Sequence, residues 1–202
     1  MYLYVRQATL ADGGGFEWAG AVRSRLEEAA GEAVHLWQNA FSPAADRVSW
    51  TSWCTDLDTL DGAVQSVRSA LPAGGDVVVP GSVTEQLFGV AYGEPDPSST
   101  RRYLRSLRTV GTPGHLDRGL QTGIEMAKRT EQHSGQPTLF LRAATGTLGL
   151  VAWLTPFDSM AEFQAANERL LSGSGWVWYR DRQAEAAQSG SITMALHRRV
   201  DD

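Results

Sequence analysis

The chain has 202 residues, 42% of them hydrophobic and 20% charged, which suits one large globular domain or two of about 100 residues each. Its 18 basic against 23 acidic side chains leave a net charge of −5, which argues against nucleic acid or an anionic membrane as the main partner, since both need a basic face. A single cysteine, Cys54, excludes an intrachain disulfide and a cysteine-based zinc cluster; no apolar run reaches the roughly 18 residues of a membrane span, and a reducing cytoplasm is the expected location.

In chain order, Tyr2–Thr9 alternates as a strand, and its first residues lack the basic start and long apolar stretch of a signal peptide. Gly13-Gly14-Gly15 lacks dinucleotide-binding spacing and reads as a turn. A helix follows, with Phe16, Ala19, Val22 and Leu26 on one face. Strands are predicted at Val34–Phe41 and Arg47–Cys54, with Ser42-Pro43 turning between them. Leu57, Leu60, Val64 and Val67 stripe a second helix, whose start carries Asp58 and whose end meets Gly74-Gly75. A strand over Glu85–Tyr92 completes a βαββαβ unit, and the polar, Pro-containing segment 94–100 reads as a linker.

The same order then recurs. Tyr103–Val110 is a strand, Leu116, Leu120, Ile124 and Ala127 stripe a helix, and strands at Thr138–Ala144 and Leu148–Leu154 flank a Thr145-Gly146 turn. A helix starting near Asp158 ends at Gly173-Ser174-Gly175, a short polar helix is expected over 181–187, and Ser191–Arg198 is the last strand. An ungapped shift of 100 sets Trp53, Thr55 and Asp58 on Trp153, Thr155 and Asp158. The expected domains are a first repeat over 1–93, the linker over 94–100 and a second repeat over 101–202.

Two βαββαβ units with this matched strand-Trp, Thr-x-x-Asp helix start resemble the dimeric α/β-barrel (ferredoxin-like) superfamily. The pattern is similar to its stress-responsive, NIPSNAP-like and antibiotic-biosynthesis-monooxygenase-like branches. The resemblance implies an α+β fold, two tandem ferredoxin-like repeats forming an intrachain pseudo-dimer, with ligands bound between the sheets.

Motifs for phosphate loops, zinc proteases and serine hydrolases are absent, and no metal set is found. The segment that could carry chemistry is Val34–Phe41. Period two places His35, Trp37, Asn39 and Phe41 on one face, opposite Val34, Leu36, Gln38 and Ala40. The aliphatic set suits the helix side, so the aromatic and polar set is expected to face the inter-sheet cavity, joined by Tyr4 and Arg6 from the first strand and Trp50 and Ser52 from the third. Rings would supply contact area and polar groups orientation for a flat aromatic ligand. His35, titrating near neutrality, is the candidate for proton transfer with Asn39 beside it as a second catalytic residue, and Tyr4, Arg6, Trp37, Phe41, Trp50 and Ser52 are candidates for substrate binding. The competing reading makes His35 a satisfied strand histidine and Trp37 core. In the second copy the equivalent row is either Thr138, Phe140 and Arg142 or Leu139, Leu141 and Ala143, and less polar than the first in either case. His115 and His133 read as surface or capping groups, Arg101, Arg102, Arg105 and Arg108 as a solvated edge, and Trp176–Arg180 as an aromatic cluster closing the core.

The resemblance implies a cofactor-independent oxygenase or cyclase acting on a small aromatic or polyketide-like molecule, with self-association into a homo-oligomer left open. A non-catalytic ligand-binding or assembly protein with a filled barrel is the second reading. The third is a haem-binding or haem-degrading protein with His35 or His197 as ligand, for which one imidazole suffices.

Overall fold

The computed structural model describes residues 1–11, 15–41, 46–70, 75–172, 181–182 and 187–200. Twelve main elements follow in chain order: β1 (Tyr2–Thr9), α1 (Gly15–Ala30), β2 (Val34–Ala40), β3 (Arg47–Cys54), α2 (Leu57–Ala70), β4 (Thr84–Tyr92), β5 (Tyr103–Val110), α3 (Leu116–Ser134), β6 (Leu139–Ala143), β7 (Leu150–Phe157), α4 (Met160–Leu171) and β8 (Thr193–Arg199). The class is α+β, two tandem βαββαβ repeats whose strands hydrogen-bond in the order β1-β3-β2-β8-β5-β7-β6-β4. The chain divides into two compact units, Met1–Phe88 with the chain from His197 onward, and Gly89–Leu196, so the boundaries fall inside β4 and β8. Residues 94–100 carry no helix or strand.

In the first unit β3 pairs antiparallel with both β1 and β2, with Tyr4 opposite Ser52, Arg6 opposite Trp50 and Leu36 opposite Trp50. Partners across a ladder share a face, so Tyr2, Tyr4, Arg6 and Ala8, Val48, Trp50 and Ser52, and Val34 and Leu36 all point to one side. That side packs under α1 and α2 through Ala19, Val22, Leu26, Ala63, Val64 and Val67. Trp50 is fully buried, and its indole Nε1–H donates to the Ala19 carbonyl of α1 at 2.9 Å. Glu27, in the last turn of α1, accepts the Val34 N–H at 3.1 Å, while Gly31 turns the chain left-handed at φ 69°.

The second unit is built on the same links. Trp153, opposite Phe140 on β6 and Leu107 on β5, donates its indole N–H to the Gly123 carbonyl of α3 at 2.9 Å. Glu131 accepts the Thr138 N–H at 2.9 Å, and Gly135 turns at φ 72°. After each second helix the chain returns to its first strand through a serine: Thr9 N–H donates to Ser82 Oγ and Val110 N–H to Ser191 Oγ, both at 3.1 Å.

These links correct the phase of the repeat. Trp50 and Trp153 are equivalent, a shift of 103; Ala19 and Gly123, Glu27 and Glu131, and Gly31 and Gly135 are equivalent at 104. The ungapped shift of 100 that matches Trp53 with Trp153 therefore pairs residues of different faces, because Trp53 lies opposite Leu3 on the side away from the helices. The helix starts follow the corrected phase. Asp56 caps α2, accepting from Asp58 N–H and from the Thr59 hydroxyl, and these bonds hold its carboxyl below the usual range. At the equivalent place in α4, the N-cap Ser159 accepts from Glu162 N–H, while the Glu162 carboxylate accepts from the N–H of Asp158, one residue before the cap. Asp58 thus sits inside the first turn, and Asp158 precedes the cap and pairs with Arg101. The Ser42-Pro43 turn, Gly13-Gly14, Gly74, Gly173–Gly175, Trp176–Arg180 and most of the 181–187 helix lie outside the described residues.

The two tryptophans of β3 are expected to differ sharply in urea unfolding. Trp50→Ala removes a fully buried ring and leaves the Ala19 carbonyl without its donor, costing about 3–5 kcal/mol. Trp53→Ala, from a half-buried position on the other face, should cost less than half of that.

Candidate functional site

β2 is buried on both faces, so its alternation separates two environments. Val34 and Leu36 enter the helix-side core. His35, Trp37 and Asn39 point the other way, and each is buried, at 8%, 6% and 8% exposure. The ladder supplies their neighbours on that face: Thr51 opposite His35, and Ser49 opposite Trp37, with Val5 and Gln7 beyond them on β1. Trp37 Nε1–H donates to Thr51 Oγ1 at 2.8 Å, and Gln7 Nε2 donates to Ser49 Oγ at 3.0 Å. His35 and Trp37 meet edge to face with ring centroids 6.1 Å apart.

The end of β8 belongs to this unit and adds a residue. Val200 N–H donates to the Leu36 carbonyl at 2.9 Å, and Arg198 Nη2 reaches Gln38 Oε1 at 3.1 Å, so the strands run antiparallel. Val200 packs on the helix-side core, which turns His197, three residues earlier, to the face of His35 and Asn39. His197 is buried, at 6% exposure. The face therefore gathers two imidazoles, the carboxamides of Asn39 and Gln7, and an indole. Asn39 Oδ1 is buried with no hydrogen-bond partner among the described residues, a condition that costs about 1–3 kcal/mol unless something supplies a donor.

The expected face-mates from β1 and β3 are corrected by the ladder. Tyr4, Arg6, Trp50 and Ser52 lie on the helix side, since even-numbered residues of β1, β2 and β3 face one another and odd-numbered ones do likewise. Trp50 is core, and Ser52 Oγ donates to the Ala33 carbonyl at 3.1 Å. Phe41 leaves the row as well: it follows the strand at φ 55° and is 86% exposed. Thr51, Ser49, Gln7 and His197 are the members that alternation read along single strands missed; the signal was parity across strands.

Tyr4 and Arg6 belong instead to an ionic cluster beneath α2. The Tyr4 hydroxyl donates to Glu85 Oε1 of β4 at 3.0 Å, Arg6 Nη1 pairs with the same oxygen, and Arg68 of α2 pairs with Glu85 Oε2. Burial first, and the neighbouring Glu85 carboxylate second, push the Tyr4 phenol well above its ordinary value.

In the second unit the row equivalent to His35, Trp37 and Asn39 is Leu139, Leu141 and Ala143, since Phe140 faces Trp153 on the helix side. The polar row is thus a property of one copy.

No family model and no curated protein matches the sequence. Solved structures do match in fold. The chain superposes on a monooxygenase candidate from Fusobacterium nucleatum with a TM-score of 0.71 at 9% identity, covering 99% of this chain and 92% of the other. An anthrone oxidase-like protein gives 0.68 at 15% identity, with 99% and 92% covered. The haem-degrading enzyme of Listeria monocytogenes gives 0.57 at 10% identity, with 98% and 99% covered. The chain has the dimeric α/β-barrel fold.

Haem occurs in one of those relatives by name, so its fit to these residues matters. The described residues hold no group of three His, Cys, Asp or Glu side chains suited to a metal ion. A cavity of about 310 Å³ lies in the second unit, and the described residues on its wall include no imidazole, thiolate or phenol. That cavity therefore offers no haem ligand; the imidazoles that could serve as one, His35 and His197, are both buried on the β2 face. No helix among the described residues is long and apolar enough to cross a membrane.

Tyr4 gives the fold a pH limit. Its folded value lies above its unfolded value of about 10, so its contribution is complete below pH 10 and is lost as pH rises beyond that. Melting temperature should fall above pH 10 in the wild type, and part of that fall should vanish in Tyr4→Phe, as followed by circular dichroism.

Proposed function

We propose that the protein is a small-molecule enzyme of the cofactor-independent oxygenase type, acting on an electron-rich aromatic or polyketide-like phenol at the β2 face that carries His35 and Asn39. The observation that supports it is the contrast between copies. The second unit builds this row from Leu139, Leu141 and Ala143, as a packed interior requires; the first builds it from His35, Trp37 and Asn39 with His197 beside them. Buried polar side chains weaken a core unless they are satisfied, and the Asn39 oxygen has no donor among the described residues, so a ligand that donates there supports the reading.

The roles follow from chemistry. His35 accepts the phenolic proton, imidazole being the side-chain type whose unperturbed pKa lies nearest neutrality. The phenolate so formed is electron-rich enough to react with dioxygen. Asn39 presents a carboxamide whose buried oxygen accepts a hydrogen bond from the substrate. The Trp37 ring, held by Thr51, gives a flat wall for stacking. The names of two fold relatives, a monooxygenase candidate and an anthrone oxidase-like protein, point to the same reaction class.

Oxygen consumption with anthrone and with naphthols as substrates tests the reading. The wild type should turn over at least one of them, and His35→Ala should lower kcat by about 10²-fold or more, the range of a lost general base. Asn39→Ala should raise KM while the melting temperature holds or rises. Uptake of haemin with a Soret shift that His35→Ala or His197→Ala abolishes, without turnover of any phenol, would replace this reading with haem binding. Absence of turnover and of any ligand-induced rise in melting temperature would favour a filled, non-catalytic core.

A further inference from the structure

The equivalences between copies expose a difference on the helix side. In the first unit Leu10, just past β1, is buried and covers Gly15 at the start of α1; a Cβ placed on Gly15 would lie 2.6 Å from Leu10 Cδ2. One turn on, Trp18 packs edge-on against Trp50, with centroids 5.6 Å apart at 84°. The bridge of Leu10 with Val78 corresponds to that of Gly111 with Ala187, so Gly111 stands where Leu10 does. The two indole–carbonyl bonds equate Ala19 with Gly123, which places Thr122 where Trp18 stands and Gly119 where Gly15 stands.

A leucine and a tryptophan of the first unit are therefore replaced by a glycine and a threonine. The space they leave is not refilled. Phe140 rises against Gly123 and stacks on Trp153 at 4.9 Å, but a Cβ on Gly119 would meet nothing within 4 Å. The result is the cavity of about 310 Å³, bounded by α3 through Gly119 and Thr122, by Gly111, and by Val151 and Trp153 of β7. The hollow opens to solvent past Leu116 and Leu148, and its volume falls at the lower end of ligand-pocket volumes.

Its wall carries two charged residues, Asp117 and Arg142. Asp117 lies in the first turn of α3, where a carboxylate complements the helix dipole. Arg142, on the exposed end of β6, has no ion-pair partner among the described residues. We infer that this cavity is a second binding site, for a flat aromatic acid of indole or naphthalene size, whose ring takes the place that Trp18 fills in the first unit and whose carboxylate pairs with Arg142. The site is separate from the β2 face and stands whether or not that face is catalytic.

Calorimetric titration with 1-naphthoate and with indole tests it on the wild type and on Thr122→Trp, Gly119→Leu and Arg142→Ala. Both probes should bind the wild type with submillimolar Kd. Thr122→Trp, which restores the residue of the first copy, should weaken both at least tenfold while the melting temperature stays level or rises. Gly119→Leu should do the same from the other side of the cavity and serves if the tryptophan variant fails to fold. Arg142→Ala should weaken naphthoate at least fivefold more than indole, and His35→Ala should change neither. Failure of both probes to bind the wild type at millimolar concentration overturns the site. So does undiminished binding in the filled variants, or binding lost in His35→Ala but kept in Gly119→Leu, which would move the probe to the β2 face. Equal losses of both probes in Arg142→Ala overturn the acid.

Discussion

Each unit hangs on one buried hydrogen bond, from the indole of a mid-sheet tryptophan to a carbonyl in the helix above it: Trp50 to Ala19, and Trp153 to Gly123. The bond itself is worth about 1 kcal/mol net, but leaving either partner unmade inside the core costs about 1–3. It can form only if the tryptophan lies on the helix side of β3 or β7, which fixes the parity of that strand. The antiparallel ladders then carry that parity to β1 and β2, or to β5 and β6. Glu27, holding the first N–H of β2, and Glu131, holding the N–H just before β6, set how far along the sheet the helix ends. Which residue faces which environment follows from these few bonds.

With the frame held this way, the two copies are free to spend their interiors differently. On the helix side the first copy packs Leu10 and Trp18 around Trp50, whereas the second has Gly111 and Thr122 and a hollow beside Trp153. On the opposite side of the sheet the contrast reverses. There the second copy has Leu139, Leu141 and Ala143, and the first has His35, Trp37 and Asn39. Each copy keeps one conventional face and departs from it on the other. A chain under selection for stability alone would fill both, since a cavity costs contact and a buried carboxamide oxygen costs a hydrogen bond.

The order of elements was legible because periodicity is local: the stripes of α1 and α3 and the alternation of β1 and β5 need no knowledge of partners. The face of β2 was legible for the same reason, Val34 and Leu36 being aliphatic and His35, Trp37 and Asn39 not. What failed was the step between strands. Alternation along single strands joins Tyr4, Arg6, Trp50 and Ser52 to that face, but facing depends on register, and register is set by loop lengths and by the indole bond. The repeat slipped for a related reason. Its elements are offset by different amounts, so the ungapped match of Trp53 with Trp153 found two tryptophans in a row and overlooked Trp50, whose indole does the equivalent work. The Leu10 and Trp18 replacements follow from the phase that the indole bonds and the isolated bridges set.

Arg6 shows why chemistry read without register misleads. A buried arginine and tyrosine near a predicted cavity look like ligand-binding groups. Here Glu85 takes both, and Arg68 of α2 takes the other carboxylate oxygen. A guanidinium inside a core must have a partner or be very costly, and Glu85 supplies it, so Arg6 has a structural reason to exist. Asn39 has no such framework partner: its oxygen is buried and nothing among the described residues donates to it. Arg6 Nε is itself unpaired among the described residues, but the charge it belongs to is met by Glu85; Asn39 combines an unpaired oxygen with a place on the face away from the helices, and that combination marks the candidate site.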